Sequence, residues 1–365
     1  MTRRWWLPLA AGAVGLVLVV AIAEGGVRLA MGASPRLAEL LGDPMAVQIE
    51  PHGAHGYRPR AGARLTYANG TIATANARSW RGPVVADRRD AGSIRVVLLG
   101  GSTTHGWGVN DDETIDAEMR RALARRYPGR RVEVINLGYD GYDSWQDWER
   151  WQTDGAPLAP DVVVIHSGIN DVRNARWGLA ASPDPRTLMW EVVLTRLRAE
   201  QAAGRPSWRT QLKHWVVLLR VPGAVRDRLR ARAMMEAAPP VPYPQATEQF
   251  DANVRRIAED ARRRGVHVLL STPPSALSRF PADTTSGITY WVGTAASTQR
   301  VRDTLDARLR AIADAVSPAE RPALRYVPLA VPPDAFLDDC HLTAVGSARV
   351  ADALAAAVAD ILGAL

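Results

Sequence analysis

Hydrophobic positions along this chain fall into three regimes. Behind Met1-Thr2-Arg3-Arg4, an uncharged and largely apolar run extends from Trp5 to Ala23. It is long enough to cross a membrane as a helix and longer than the usual core of a signal peptide. Glu24 to Met31 continues a helical pattern. From about 33 to 90 no period is sustained: Pro35, Pro51, Pro59 and several glycines interrupt the chain, and Arg64 to Thr74, turning at Asn69-Gly70, predicts a hairpin. From 94 onward, short apolar runs alternate with amphipathic stretches. The runs Ile94–Leu99, Val132–Asn136, Val162–His166, Val266–Ser271 and Leu324–Val327 read as buried strands. The stretches near 112–126, 144–153, 246–264, 298–315 and 344–362 read as helices.

Regular alternation of this kind predicts an α/β fold, a parallel sheet covered by helices on both faces. The division expected is a transmembrane helix over 1–32, a stalk or accessory segment over 33–90, and an α/β domain over 91–365. An insertion at about 172–247 interrupts that domain. Within the insertion, Trp208, Trp215 and the run Val216-Val217-Leu218-Leu219 precede Arg220, Arg226, Arg228, Arg230 and Arg232, a pattern of basic amphipathic helices broken at Pro222-Gly223. Two readings fit it: a packed lid with solvated arginines, or a piece resting on a bilayer surface.

A hydrophobic share of 47% over 365 residues excludes a disordered chain. The formal charge of +7 raises nucleic acid as a partner, but the basic residues are dispersed, almost all are arginine with Lys213 the sole lysine, and no nucleic-acid-binding motif is present. Nucleic acid is therefore not an expected partner. Cys340 is the only cysteine, which rules out an intramolecular disulfide or a thiolate cluster. No His/Asp/Glu cluster has metal-ligand spacing, and neither a phosphate loop nor a dinucleotide fingerprint occurs, so no metal or cofactor is expected.

The chemistry lies in four short segments: Gly100-Gly101-Ser102-Thr103, Asn136-Leu137-Gly138-Tyr139-Asp140-Gly141, Gly168-Ile169-Asn170-Asp171 and Asp338-Asp339-Cys340-His341. The first three follow the carboxyl ends of predicted strands, where open α/β sheets set their sites. Ser102 falls where strand turns to helix. Asp338 stands three residues before His341, so one loop supplies a general base and the group that orients it, as in a Ser-His-Asp triad. The rival α/β-hydrolase fold requires a glycine where this chain has Thr104.

In order and spacing these segments resemble the conserved blocks of the SGNH (GDSL-type) hydrolase superfamily, over roughly residues 94 to 362. The resemblance implies a three-layer α/β/α, flavodoxin-like domain with a five-stranded parallel sheet. It implies a nucleophile at Ser102, a base at His341, an orienting carboxylate at Asp338, and an oxyanion hole from the backbone N–H groups of Ser102 and Gly141 and the amide of Asn170. One departure is plain: Gly101 stands where the family usually has an aspartate. Asn76 to Gly82 is similar to a lead-in stretch of membrane-anchored members, with a docking role expected.

Around these positions, Gly138 competes with Gly141, and Asp339 is expected to face water or a neighbouring arginine. His105 should be carried away from the hydroxyl by a helical turn, and His166 should be a satisfied core residue. Asp171 reads as a structural carboxylate and Cys340 as a small buried residue. Trp145, Trp148 and Trp151 at helical spacing read as a packed face, whereas Trp107 is a candidate pocket wall. The expectation is a membrane-anchored, exported serine esterase acting on acylated cell-envelope glycan. A lipid esterase, an O-acyltransferase and a non-catalytic envelope binding protein are the alternatives. Arg3 and Arg4 favour a cytoplasmic N-terminus, and Ala21-Ile22-Ala23 offers a signal-peptidase site as the alternative to an uncleaved anchor.

Overall fold

A computed structural model describes residues 6–34, 37, 41–42, 48–67, 69–176, 199, 202–203, 207–226, 229, 243–283 and 294–363. Much of the 172–247 insertion lies outside the described residues. The chain begins with α1 (Trp6–Ala33) and two small hairpins, β1 (Ile49–His52) with β2 (Gly56–Pro59) and β3 (Arg64–Thr66) with β4 (Ile72–Thr74). There follow β5 (Ile94–Gly100), α2 (Ser102–His105), α3 (Ile115–Arg126), β6 (Val132–Asn136), α4 (Ser144–Arg150), β7 (Val162–His166) and α5 (Ile169–Arg176). The remaining elements are α6 (Trp208–Trp215), α7 (Tyr243–Arg263), β8 (His267–Ser271), α8 (Ala295–Asp314), β9 (Leu324–Tyr326) and α9 (Ala344–Leu362).

Strands β6-β5-β7-β8-β9 form one five-stranded, wholly parallel sheet in that spatial order. Numbered within the sheet this is 2-1-3-4-5, the flavodoxin-like order, whose switch point lies between the first and third strands. Alternate side chains supply two cores. Val97, Leu99, Val163, Ile165, Val268 and Leu270 face Trp151, Phe250, Val254, Ile257, Leu305 and Leu309. On the other face Val96, Leu98, Val134, Val162, Val164 and Leu269 meet Met119, Leu123, Val350, Leu354 and Val358. Continuous apolar strands are what a sheet buried on both faces requires. Helices start where side chains cap them: Thr114 accepts from the Ala117 amide at α3, and Thr343 from the Gly346 amide at α9.

Boundaries differ from the sequence reading in a few places. Val266 closes the α7–β8 turn by bonding the Ala261 carbonyl at 2.9 Å, so β8 starts one residue later. Helix α4 ends at Arg150 and widens into a π-turn over Trp151–Gly155, where the wholly buried Trp151 ring fills the space above Gly155. Trp148, in turn, packs partly buried against the core with Arg256 over its ring.

The accessory segment is docked on the carboxyl end of the sheet. Arg81, 2% exposed, donates to the carbonyls of Ile72, His105, Gly106 and Val109 and pairs with Asp111. The Tyr57 hydroxyl donates to the Asp140 carbonyl at 2.8 Å, and the Tyr142 hydroxyl to the Tyr57 carbonyl at 2.5 Å. Helix α1 is exposed along its apolar run and touches the body only towards its end, where Glu24, Val27 and Met31 are half-buried; it holds an 18-residue window of mean hydropathy 2.1 within Pro8–Ala33. Such a helix is consistent with a signal peptide or an anchor.

Candidate active site

Three loops at the switch point converge on Ser102. Strand β5 ends at Gly100, whose φ of +153° and surroundings exclude a side chain: a Cβ would lie 2.2 Å from both the His166 carbonyl oxygen and the Thr104 Oγ1. The chain therefore turns sharply, and Ser102 becomes the first residue of α2.

The Asp338–His341 loop folds on itself. The Leu337 amide bonds the His341 carbonyl at 2.8 Å, and Asp338 Oδ1 accepts from the amides of Cys340 at 2.9 Å and His341 at 2.7 Å. Asp338 Oδ2 lies 2.6 Å from His341 Nδ1, and His341 Nε2 lies 2.8 Å from Ser102 Oγ. A carboxylate can only accept, so the Nδ1 proton belongs to this bond and Nε2 is left to accept from the serine. Asp338 pays for its burial, but the bonds from His341 and the two amides hold it below the usual carboxylate range. Burial disfavours the His341 imidazolium; the Cys340 sulfur and the Asp338 carboxylate act the other way and hold the ring well above the usual histidine value. The carboxylate carries the charge at neutral pH, because burial pushes the Cys340 thiol up to about 11.

On the opposite side, Asn170 opens the second turn of contacts. Its Nδ2 donates to the Tyr142 carbonyl at 2.9 Å, which leaves one N–H of the amide. This amide sits against bare Gly101, where a Cβ would approach Nδ2 to 2.6 Å and the Tyr142 oxygen to 3.2 Å. The glycine that departs from the family pattern thus lies directly against the asparagine amide. Gly141, buried with φ +80°, directly precedes Tyr142. The Gly138 amide is committed to Asn136 Oδ1 at 3.1 Å. Asp171 accepts the Ser144 amide and hydroxyl, and Asn253 donates to that hydroxyl at 3.1 Å, tying α5 to α4 and α7.

The other expected positions resolve as follows. His105 is turned away and bonds Asp140 Oδ1 at 3.0 Å. His166 is buried with Nδ1 on Ser271 Oγ at 2.8 Å, but Nε2 has no hydrogen-bond partner, so it is only half satisfied; burial and Arg302 push it down to about 3. Asp339 does not face water: it is 2% exposed, its carbonyl accepting the Ala276 amide, because the tight loop turns it inward as Asp338 turns out. The Trp107 ring packs at a 32° tilt with its centre 4.4 Å from that of His341, and Tyr67 of the accessory segment lies 5.3 Å behind it. Contrary to the sequence reading, three potential metal-ligating groups do cluster: ligand atoms of Asp338, Cys340 and His341 lie within 4.8 Å of one another. His341 Nδ1 already meets both of the others, Asp338 Oδ2 at 2.6 Å and Cys340 Sγ at 3.7 Å, and the elevated thiol opposes the thiolate that a metal would need.

Residues that sequence reasoning missed are those acting through the backbone or from a distance: the Tyr142 carbonyl, Tyr67 and Arg81. Only Arg81 had a signal, in the Asn76–Gly82 stretch. Beside Ser102 lies a small cavity of about 20 Å³, bounded among others by Gly101, Ser167, Gly168, Ile169, Pro273 and Cys340.

The chain belongs to the GDSL-like lipase/acylhydrolase family, whose model matches residues 98–349. Among solved structures, a GDSL-like lipase from Bacteroides thetaiotaomicron is 17% identical, with 77% of this chain and 93% of that one covered and a TM-score of 0.39. A catalytic mutant of an acetylxylan esterase from Geobacillus stearothermophilus is 15% identical, with 74% and 95% covered and a TM-score of 0.42. No curated protein matches the sequence.

Proposed function

We propose that the protein is an extracytoplasmic serine esterase, tethered by α1, that removes short O-acyl groups from cell-envelope glycan. One observation carries the reading: Asp338, His341 and Ser102 form a continuous hydrogen-bonded chain, at 2.6 Å and 2.8 Å, in a member of an acylhydrolase family. In the reaction, Ser102 Oγ attacks the ester carbonyl carbon while His341 Nε2 takes its proton, and Asp338 stabilises the imidazolium that forms. Negative charge on the carbonyl oxygen meets the backbone N–H groups of Ser102 and Gly141 and the second N–H of Asn170. His341 returns the proton to the departing alkoxide. Water, deprotonated by the same nitrogen, then hydrolyses the acyl-enzyme.

A short acyl group is favoured because the cavity beside Ser102 has room for about a methyl group. The envelope location is supported by α1 behind Arg3 and Arg4, which favours an exported body; a glycan alcohol is the substrate that this location offers.

A fluorophosphonate probe on the detergent-solubilised full chain tests the chemistry. The expected result is labelling that disappears in Ser102→Ala; a folded protein that resists the probe, or a labelled alanine variant, overturns it. Esters of increasing chain length test the acyl preference, with kcat/KM expected to fall by about 10-fold or more from acetyl to octanoyl. Equal rates would remove the short-acyl assignment.

A further inference from the structure

The apolar run of α1 stops at Glu24, and at that level the chain turns a second apolar surface outward. Glu24 accepts the backbone amides of Val217 and Leu218, each at 2.9 Å, while Arg28 Nη2 donates to the Trp215 carbonyl at 2.8 Å. These bonds fix residues 215–218 against the end of the apolar run. Just before them, α6 presents Trp208, Leu212 and Trp215, spaced i, i+4 and i+7, on one face; they are 68%, 42% and 74% exposed, whereas Thr210 is buried. Leu219 and Val225 extend the exposed surface. Arg209 and Lys213 stand on the same helix, the Arg209 guanidinium 5.4 Å from the Trp208 ring.

The heights agree. Val14 is the midpoint of the Trp5–Ala23 run, and Glu24 lies ten residues further, about 15 Å along a helix axis. That is half of a hydrocarbon core about 30 Å thick. Trp215 therefore falls at the boundary between acyl chains and headgroups, the layer in which tryptophan is enriched. An amphipathic helix with two outward tryptophans and basic neighbours has the composition of an interfacial helix.

We propose that α6 and the turn after it lie in the headgroup–acyl boundary of the bilayer that α1 spans. This rests on the reading of α1 as a membrane anchor. The body is then held at two points, and the second fixes which of its sides faces the lipid. A helix tether alone would leave that side undetermined.

The test uses the full chain in nanodiscs of phosphatidylethanolamine and phosphatidylglycerol, with one nitroxide at a time on Leu212→Cys, Val17→Cys or Glu248→Cys, the native Cys340 being buried. Collision with lipid-soluble oxygen and with a water-soluble nickel chelate is measured. At position 212 we expect oxygen to be favoured over nickel, to a degree between position 17 in the bilayer core and position 248 in water. A value at 212 equal to that at 248, with 17 still shielded, overturns the proposal and leaves the anchor standing. Free nickel access at 17 removes the anchor and the proposal with it. Low access to both reagents at 212 means burial under protein, and dipolar broadening that grows with copies per disc means a second copy; either result overturns the proposal.

Discussion

On one side of Ser102 the hydrogen bonds that orient the base all come from between Asp338 and His341: two backbone amides and one imidazole N–H converge on a single carboxylate, while Trp107 packs on the ring from outside the loop. On the other side, Asn170 is held by the Tyr142 carbonyl from the loop before α4, and its neighbour Asp171 by Ser144 and, through it, Asn253 of α7. The base is oriented by a local loop, whereas the amide is oriented by the packing of three helices. The loop supplies most of its own hydrogen bonds, with the Ala276 amide on the Asp339 carbonyl as a tie from outside. The amide side depends on long-range contacts, and it includes two buried carboxylates, Asp147 and Asp171, where the base side has one, Asp339. Damage should therefore separate: changes in the loop cost rate and spare folding, while changes across from it cost both.

The largest expected effect is that of Asp338→Asn. The asparagine oxygen can still accept the two amides, but its NH2 faces Nδ1 and favours the wrong imidazole tautomer, so kcat/KM should fall on the order of 10⁴ with little change in Tm. The pH profile gives the sign. In the native protein His341 is held above its usual value and must be neutral to act, so activity rises as pH climbs through that raised value. Removing the carboxylate lowers the histidine pKa, and the residual acid limb should move to lower pH. An unshifted limb would separate His341 from Asp338.

Asn170→Ala comes next. Loss of an oxyanion donor should lower kcat by about 10² to 10³ with KM within a few-fold. Because the Tyr142 carbonyl also loses its donor, Tm should fall by a few degrees, unlike in Asp338→Asn. Kinetics and melting of the two variants together decide whether the contrast holds; an unchanged kcat in a folded Asn170→Ala chain would take this residue out of the oxyanion hole.

The smallest effect is on stability alone. Burial pushes Asp147 up to about 7, and the nearby Ser167 hydroxyl and Gly100 amide offset only part of that. The folded state therefore binds a proton that the unfolded state has released, so this group's stabilising contribution is complete below about pH 4 and is lost as pH rises to about 7. Asp147→Asn should stabilise the protein above pH 7 by a few kcal/mol at most and change it little near pH 4. Melting scans across that range check it, and a gain of equal size at both ends would contradict the assignment.

The parallel sheet was legible because doubly buried strands are apolar at most positions, Glu133 and Arg95 being the charged exceptions, so Val132–Asn136 and Val162–His166 stand out as short apolar runs that end on a polar residue. The short α/β segments also marked the site, since the glycines beside Ser102 and the Asp-x-x-His spacing are local constraints. What could not be read was whatever depends on a partner far along the chain. Asp339 was misread because nothing in its local sequence shows the loop turning it inward against Ala276, and the 33–90 region looked loose because its order comes from Arg81 and Tyr57 reaching residues 105–142. The hairpin over 49–59, with Pro51 and Pro59, carried no turn signal strong enough to name it.

Arg81 sets a limit on modularity. Its guanidinium gathers four carbonyls from β4, the last residue of α2 and the loop after it, acceptors that no other described side chain is bonded to. A chain cut between α1 and β1 leaves that cluster whole, whereas a chain cut between Arg81 and β5 strands three buried carbonyls beside Trp107 and removes Tyr67 from behind it. The boundary at which the family match begins, residue 98, is thus not where the self-sufficient unit begins. Evolutionary reshuffling of this body onto another tether would have to carry the residues from about 48 onward as part of the same cargo.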